Sequence, residues 1–112
     1  NLTGRRNIIS TNNGGYDWSV QINESYYYVF TGIDDWNTSI APDLNEWQHV
    51  AVVYTPGTGI KFYKNGQFAS TSTIGYDTND APVAIGRSPG WGEYFLGKID
   101  EVAIFNRPLE PE

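Results

Sequence analysis

The sequence contains no cysteine, a single histidine and no long hydrophobic run. The lack of cysteine excludes disulfides and thiolate metal ligands. The lack of cysteine also excludes a Cys–His nucleophile pair, and the lack of a second histidine excludes a zinc site built on histidines. The sequence contains no stretch of about 18 apolar residues, which is the length that a membrane-spanning helix needs. The formal net charge of −6 argues against nucleic acid as a partner, because phosphates need a basic surface.

Helical periodicity is also missing, and the apolar residues fall into short runs separated by turn residues. A long loop with room for one edge strand is predicted over 33–46, and a central strand over 46–55, which is apolar on both sides. Asn65 and Gly66 suit the tip of a type I′ hairpin within 60–70. The remaining strands are predicted at 7–11, 15–23, 26–32, 83–88 and 95–106. These features predict an all-β sandwich or barrel.

Four motifs in the second half carry a family resemblance: W-x-H-V-A from Trp47, F-Y-x-N-G from Phe62, I-G from Ile85, and G-x-I-D-E-V-x-I-F-N-R-x-L from Gly97 to Leu109. In this order they resemble the LamG-like jelly roll of the concanavalin A-like lectin/glucanase superfamily. The resemblance is close over 46–109 and loose over 7–32. It implies an antiparallel two-sheet β-sandwich.

The sequence also predicts the domain limits. Residues 1–107 are expected to form the sandwich, and 108–112 an exit linker, because Pro108 and Pro111 discourage strand pairing. Family members usually begin with further strands upstream of the matching region. A jelly roll without them would leave open sheet edges. We therefore expect either that opening strands lie outside this sequence or that another chain donates a strand, as in a homo-oligomer.

The acidic residues do not match those of a glycan hydrolase. Retaining glucanases of this fold resemble E-x-D-x-x-E or E-x-D-x-E, and neither pattern occurs. Such chemistry needs two carboxylates about 5–5.5 Å apart. Asp100 and Glu101 are neighbours on a predicted strand, so their side chains should point to opposite faces. His49 lies in an apolar strand, which favours a structural, hydrogen-bonded role. The sequence therefore predicts no enzymatic activity.

Calcium is the cofactor that the resemblance implies, because many LamG-like domains carry a structural calcium ion. The resemblance makes Asp100 the first candidate ligand and Glu101 a weaker one, whereas a purely structural reading pairs these acids with backbone N–H groups or a nearby cation. Two polar loops offer further carboxylates, although aspartates are also ordinary turn residues. These additional candidates are Asp34, Asp35, Asp77 and Asp80.

Aromatic residues in loops give the clearest signal for sugar binding. Trp36 and Trp91 lie in polar, turn-rich segments, where a flat ring can stack on a sugar or fold back as a lid on the core. The side chains that could extend such a platform are Tyr76, Arg87 and Tyr94. Trp18 and Trp47 lie on predicted strands and are expected in the core.

These observations predict a non-catalytic extracellular module that binds a glycan or an extracellular matrix protein. It would belong to a larger secreted or surface protein. The alternative is a structural subunit that assembles into a filament or surface layer by strand exchange. A fragment of a glycan-degrading enzyme, with its catalytic residues elsewhere, is a weaker third possibility.

Overall fold

A computed structural model of the chain describes residues 5–11, 18–31, 35–55, 57–74, 83–86, 95 and 97–104. Within these ranges all regular secondary structure is β-strand. The described residues include no helix of the length and hydrophobicity needed to cross a membrane. The strands are β1 (Arg5–Ser10), β2 (Ser19–Asn23), β3 (Tyr26–Phe30), β4 (Asp35–Asn37), β5 (Val50–Thr55), β6 (Gly59–Lys64), β7 (Gln67–Ser72) and β8 (Ala84–Ile85).

The strands form two antiparallel sheets. The larger sheet has the order β4-β3-β2-β1-β8, so its first four strands are a meander and β8 returns to pair with β1. The smaller sheet is the meander β5-β6-β7. Strands predicted around 7–11, 15–23, 26–32 and 83–88 are thus present with shifted ends. The predicted loop over 33–46 does contain an edge strand, β4.

The hairpin between β6 and β7 matches its prediction. Asn65 and Gly66 form the tip with φ of 53° and 79°, the left-handed values that a type I′ turn requires. The position of β5 differs from its prediction, because within the described residues this strand is the edge of the smaller sheet. Its apolar residues on both sides are half-buried along the whole strand.

The core lies between the sheets. Ile22, Tyr27 and Val29 face inward from the larger sheet and meet Ile60 and Phe62 of the smaller one. The rings of Tyr27 and Phe62 have centroids 5.2 Å apart and are tilted by 38°. Burying one such side chain stabilises the fold by roughly 1.5–3 kcal/mol. The all-β sandwich predicted from the sequence is confirmed.

The outer face of the larger sheet is polar yet buried. A bulge in β1 shifts the register between Asn7 and Ile9, so that Asn7 opposes Gln21 while Ser10 opposes Ser19. These four side chains are all at most 1% exposed. Gln21 Nε2 donates to Ser19 Oγ at 3.0 Å, as burial of polar groups requires.

The prediction of a C-terminal strand over 95–106 is wrong for the residues of that range that the structure describes, 95 and 97–104. Residues 97–104 contain no strand, and 100–104 are exposed. Glu101 has a φ of 54°, outside the β region. Its backbone N–H donates to Asp100 Oδ1 at 2.8 Å, a local bond that competes with strand pairing. The strand alternation expected for Asp100 and Glu101 therefore does not apply.

Candidate functional site

Only part of the predicted site lies in the described residues. The structure places Trp36, Asp35 and Asp100. The other predicted positions lie outside the described residues; they are Trp91, Tyr94, Arg87 and Tyr76 for sugar, and Asp34, Asp77 and Asp80 for calcium.

Trp36 lies on a strand, so its predicted place in a loop is wrong. It is on β4, opposite Val29, and packs half-buried against the core. Tryptophan favours a half-buried strand surface, which explains why this short segment pairs instead of looping. Trp36 therefore covers part of the core, which was the alternative given above to a sugar-binding platform.

The described acids do not form a metal site by themselves. Asp35 is half-buried on β4 and opposes Phe30, whereas Asp100 is exposed and accepts the N–H of Glu101. Across the described part of the chain, no three histidine, cysteine or acidic residues converge to hold a metal. Calcium binding therefore stays a prediction.

A loop preceding β5 is fixed by the side chain of Gln48. Gln48 Oε1 accepts hydrogen bonds from Tyr27 Oη at 2.7 Å and from the Asp43 N–H at 2.9 Å. Gln48 Nε2 donates to the carbonyl oxygens of Asp43 at 2.8 Å and Glu46 at 3.1 Å. One amide thus joins the buried core to both arms of the loop. We call residues 41–49 the Gln48 loop.

The tip of the β6–β7 hairpin holds the same loop from the other side. Lys64 Nζ donates to the carbonyl of Ala41 at 2.9 Å and pairs with Asp43 Oδ2 at 3.0 Å. Asn65 Oδ1 accepts the His49 N–H at 2.9 Å, and the Asn65 N–H donates to the His49 carbonyl at 2.7 Å. The loop is therefore ordered before any ligand arrives.

The charge state of Tyr27 suits its bond to Gln48. Burial, with a smaller contribution from the negative charge of Asp43, raises the pKa of Tyr27 to about 12. The phenol is therefore protonated near neutral pH and donates to Gln48 Oε1. This bond connects the Gln48 loop to the sandwich core.

The Gln48 loop leaves two large apolar side chains in solvent: Trp47 is 69% exposed and Leu44 is 60% exposed. The prediction that Trp47 belongs to the core is wrong. The inward positions Tyr54, Val52 and Val50 lead back, by alternation, to Gln48 and not to Trp47. That alternation was the signal in the sequence.

His49 shares the outward side of the Gln48 loop. Its side chain is exposed, and the hydrogen bonds to Asn65 come from its backbone. The prediction of a structural, hydrogen-bonded imidazole is therefore wrong, and the structural bonds of His49 are made by its main chain. The ring itself is exposed to solvent, two residues after Trp47.

The outer face of the smaller sheet also carries aromatic side chains. Ala51 on β5 opposes Tyr63 on β6, which in turn opposes Phe68 on β7. The rings of Tyr63 and Phe68 stand 6.0 Å apart at 74°, and Phe68 is 57% exposed.

A separate cavity lies at the other end of β5. Its volume is about 290 Å³. The described residues around it combine one aromatic ring with hydroxyls and glycines, and carry no charge; they are Tyr54, Gly57, Thr58, Gly59, Thr73 and Ile74.

Comparison of the chain with curated proteins and with solved structures gives no match in either set. A laminin G-type family model, described as the concanavalin A-like lectin/glucanases superfamily, matches residues 1–112. The match extends over the whole chain and agrees with the two antiparallel sheets. The chain therefore belongs to the concanavalin A-like lectin/glucanase superfamily, as a laminin G-type domain.

Proposed function

We propose that this domain is a non-catalytic module that binds carbohydrate, acting outside the cell within a larger secreted or surface protein. Membership of the family supports a carbohydrate-binding or adhesion module in general terms. The observation that carries the proposal is the exposed indole of Trp47 on the Gln48 loop. The missing hydrolase pattern supports a role without catalysis.

The exposure of Trp47 fits a ligand better than a role in folding. A tryptophan gains most by burial, and this one leaves most of its area in water. An indole offers a broad flat surface to the C–H groups of a sugar ring, while exposed polar groups nearby can bind hydroxyls. Asn45 and Glu46 provide such groups on the same loop.

The bonds that fix the Gln48 loop lower the cost of binding. Ordering a loop and its side chains on association costs free energy, about 0.5–1.5 kcal/mol for each flexible side chain that is immobilised. Gln48, Lys64 and Asn65 already hold this backbone in the free protein. A ligand therefore meets a surface that is largely preorganised.

A glycan array followed by titration calorimetry tests the proposal. We expect Trp47→Ala to weaken binding at least about fivefold, since loss of a stacking ring removes roughly 1–3 kcal/mol. The matched control is Tyr26→Ala, because Tyr26 is an exposed aromatic residue on the larger sheet. If the protein binds no glycan, or if both variants lose affinity equally, the proposal is wrong.

The edge position of β5 favours strand exchange as the second candidate function. An exposed edge presents unpaired N–H and C=O groups to another strand. Within the described residues, nothing pairs with β5 on the side away from β6. Light scattering over a range of protein concentrations tests this idea. Strand exchange predicts growing oligomers, and a monomer at every concentration would exclude it.

Calcium is proposed as a structural ligand on the strength of the family resemblance, with Asp100 as one of its ligands. Binding to the folded state alone would raise the melting temperature. We therefore expect chelator to lower the melting temperature of the intact protein, and Asp100→Asn to reduce that effect. Identical melting curves with and without chelator would contradict the proposal.

A further inference from the structure

We propose that Asn37 is an acceptor for N-linked glycosylation, the transfer of an oligosaccharide from a polyprenyl diphosphate carrier to an asparagine side chain. This inference rests on the extracellular setting of the proposed function, and it concerns a different surface from that of Trp47. It is carried by a sequence motif at the edge of the larger sheet and by the exposure and hydrogen bonds of that motif.

The motif is the glycosylation sequon N-x-S/T, which occurs three times in the chain, at Asn1, Asn23 and Asn37. A sequon alone is a weak signal, because asparagine and serine are also ordinary turn residues. Asn1 lies outside the described residues. The choice between the other two sequons therefore depends on their structure.

The sequon at Asn37 lies on the surface. Asn37 is the last residue of β4, which forms one end of the larger sheet. It opposes Tyr28, the neighbour of the core residue Tyr27, so its side chain lies on the outer face. Asn37 and Ser39 are exposed, whereas Thr38 between them is 2% exposed. The acceptor and the hydroxyl residue of this sequon are thus accessible from solvent.

The buried middle residue, Thr38, fixes the backbone of the sequon. Its Oγ1 donates to the carbonyl of Tyr27 at 2.8 Å and accepts the Ile40 N–H at 3.2 Å. The Ser39 N–H donates to Asn37 Oδ1 at 2.8 Å, which holds the carboxamide by its oxygen. The Nδ2 group, which forms the new bond in glycosylation, makes no hydrogen bond within the described part of the chain.

The sequon at Asn23 presents its acceptor less well. Asn23 is half-buried at the end of β2 and opposes Tyr26 across a turn of two residues, Glu24 and Ser25. A transferase must enclose the carboxamide, and a half-buried side chain leaves less room for that. Asn37 is therefore the favoured acceptor, and Asn23 is its internal control.

The residue two positions before the acceptor also separates the two sequons. One class of oligosaccharyltransferase accepts the longer motif D/E-x-N-x-S/T. Asp35 completes this motif at Asn37 as D-W-N-T-S, whereas Gln21 holds the corresponding position before Asn23. An enzyme of that class therefore distinguishes Asn37 from Asn23 by sequence as well as by exposure.

The transfer is a substitution at the anomeric carbon of the carrier-linked sugar. Asn37 Nδ2 forms a bond to that carbon, and the bond from the carbon to the diphosphate oxygen breaks. The polyprenyl diphosphate leaves with the electron pair of that bond, and one proton passes from Nδ2 to a base of the transferase. No oxidant or reductant takes part.

A glycan on Asn37 would shield one edge of the sandwich. Within the described residues, nothing pairs with β4 on the side away from β3. Such an edge can pair with another chain, and a bulky hydrophilic group beside it hinders that approach. The edge at β5 would stay free, so the modification is compatible with the strand exchange considered above.

The test is transfer to the folded, purified chain by an enzyme of the D/E-x-N-x-S/T class, with a synthetic polyprenyl diphosphate-linked oligosaccharide as donor. We expect the intact mass to rise by one oligosaccharide, which peptide mapping locates at Asn37. Asn37→Asp and Ser39→Ala should each abolish transfer. Both variants keep the groups that form the hydrogen bond between positions 37 and 39, so the turn is retained. Asn23→Asp is the matched control and should be modified like the natural chain.

A synthetic peptide covering 33–41 serves as the reference acceptor. If the peptide is modified and the folded chain is not, the fold hides the site and the inference is wrong. If neither is modified, the motif itself fails. Transfer to Asn23 instead, or transfer that survives Ser39→Ala, would also overturn the inference. None of these outcomes bears on glycan binding by Trp47, which the array tests separately.

Discussion

The outer face of the larger sheet is polar and buried, whereas that of the smaller sheet is aromatic and partly exposed. On the larger sheet, Ser19 and Gln21 are shielded and bonded to each other. On the smaller sheet, Phe68 extends into solvent. Burial of polar groups demands hydrogen-bond partners, so the first face is committed to structure. The second face contributes less to folding and has its apolar area available for a ligand.

The largest contrast should appear between two phenylalanines of the smaller sheet. Phe62 faces the core and is 0% exposed, whereas Phe68 lies on the outer face. We expect Phe62→Ala to lower the free energy of unfolding by about 3–5 kcal/mol, because it removes the ring and leaves a cavity. Phe68→Ala should cost less than about 1 kcal/mol. Urea denaturation measures both, and equal losses would contradict the assigned faces.

Alkaline pH should weaken the core contact that carries the Gln48 loop. The pKa of Tyr27 is raised from 10.0 to about 12 in the folded state, so its protonated form is favoured by folding. This contribution is complete below pH 10 and is lost as the pH rises to about 12, a change of about 3 kcal/mol.

The measurement is unfolding free energy against pH for the natural chain and for Tyr27→Phe. The variant should lack this component and retain the alkaline losses of the other tyrosines and lysines. Parallel curves for the two proteins between pH 10 and 12 would contradict the assignment.

A smaller loss of unfolding free energy is expected for a substitution on the buried polar face of the larger sheet. Gln21→Leu removes the donor to Ser19 Oγ while keeping an apolar side chain of similar size. We expect a loss of about 1–3 kcal/mol, because a buried oxygen is left with one bond fewer. The control Gln67→Leu changes an exposed glutamine on β7 and should be nearly neutral. Thermal unfolding of the pair distinguishes a buried face from an exposed one.

The smallest effect concerns the hairpin tip that holds the Gln48 loop. Gly66 has a φ of 79°, and a Cβ at this position would contact nothing within 4 Å. Gly66→Ala therefore costs only backbone strain, about 1 kcal/mol. We expect a small drop in melting temperature and little change in glycan affinity. A loss larger than about 2 kcal/mol would show a steric conflict that the structure does not contain.

The sequence predicted the local features of this fold best. Asn65-Gly66 located a hairpin because its positive φ values are a property of those two residues. Exposure depended on the rest of the molecule and was harder to predict. Trp47 was assigned to the core because it is apolar and lies on a predicted strand, although alternation from Val50 places Gln48 inside. The place of Trp36 on β4 depends on pairing with Val29, which a single segment does not reveal.

The sugar site stays a prediction, because of its residues the structure describes only Trp36. Aromatic residues for sugar binding were sought in turn-rich segments. Among the described residues, the exposed rings include Trp47 and Phe68, one on a loop held by side-chain bonds and one on a strand. Loop composition indicates where a ring can be exposed, whereas sheet register decides which strand residues face solvent. Register is a property of pairs of strands.

The return of β8 to β1 has a consequence for the order of folding. Strands β1 to β4 and strands β5 to β7 are each contiguous in sequence, so both meanders can form through short-range contacts. The pairing of Ile9 with Ile85 instead closes a loop of about 75 residues, which carries the largest entropic cost. We expect the meanders to form first and β8 to join last. In hydrogen exchange, the amides of β8 should then open well before those of β2 and β6.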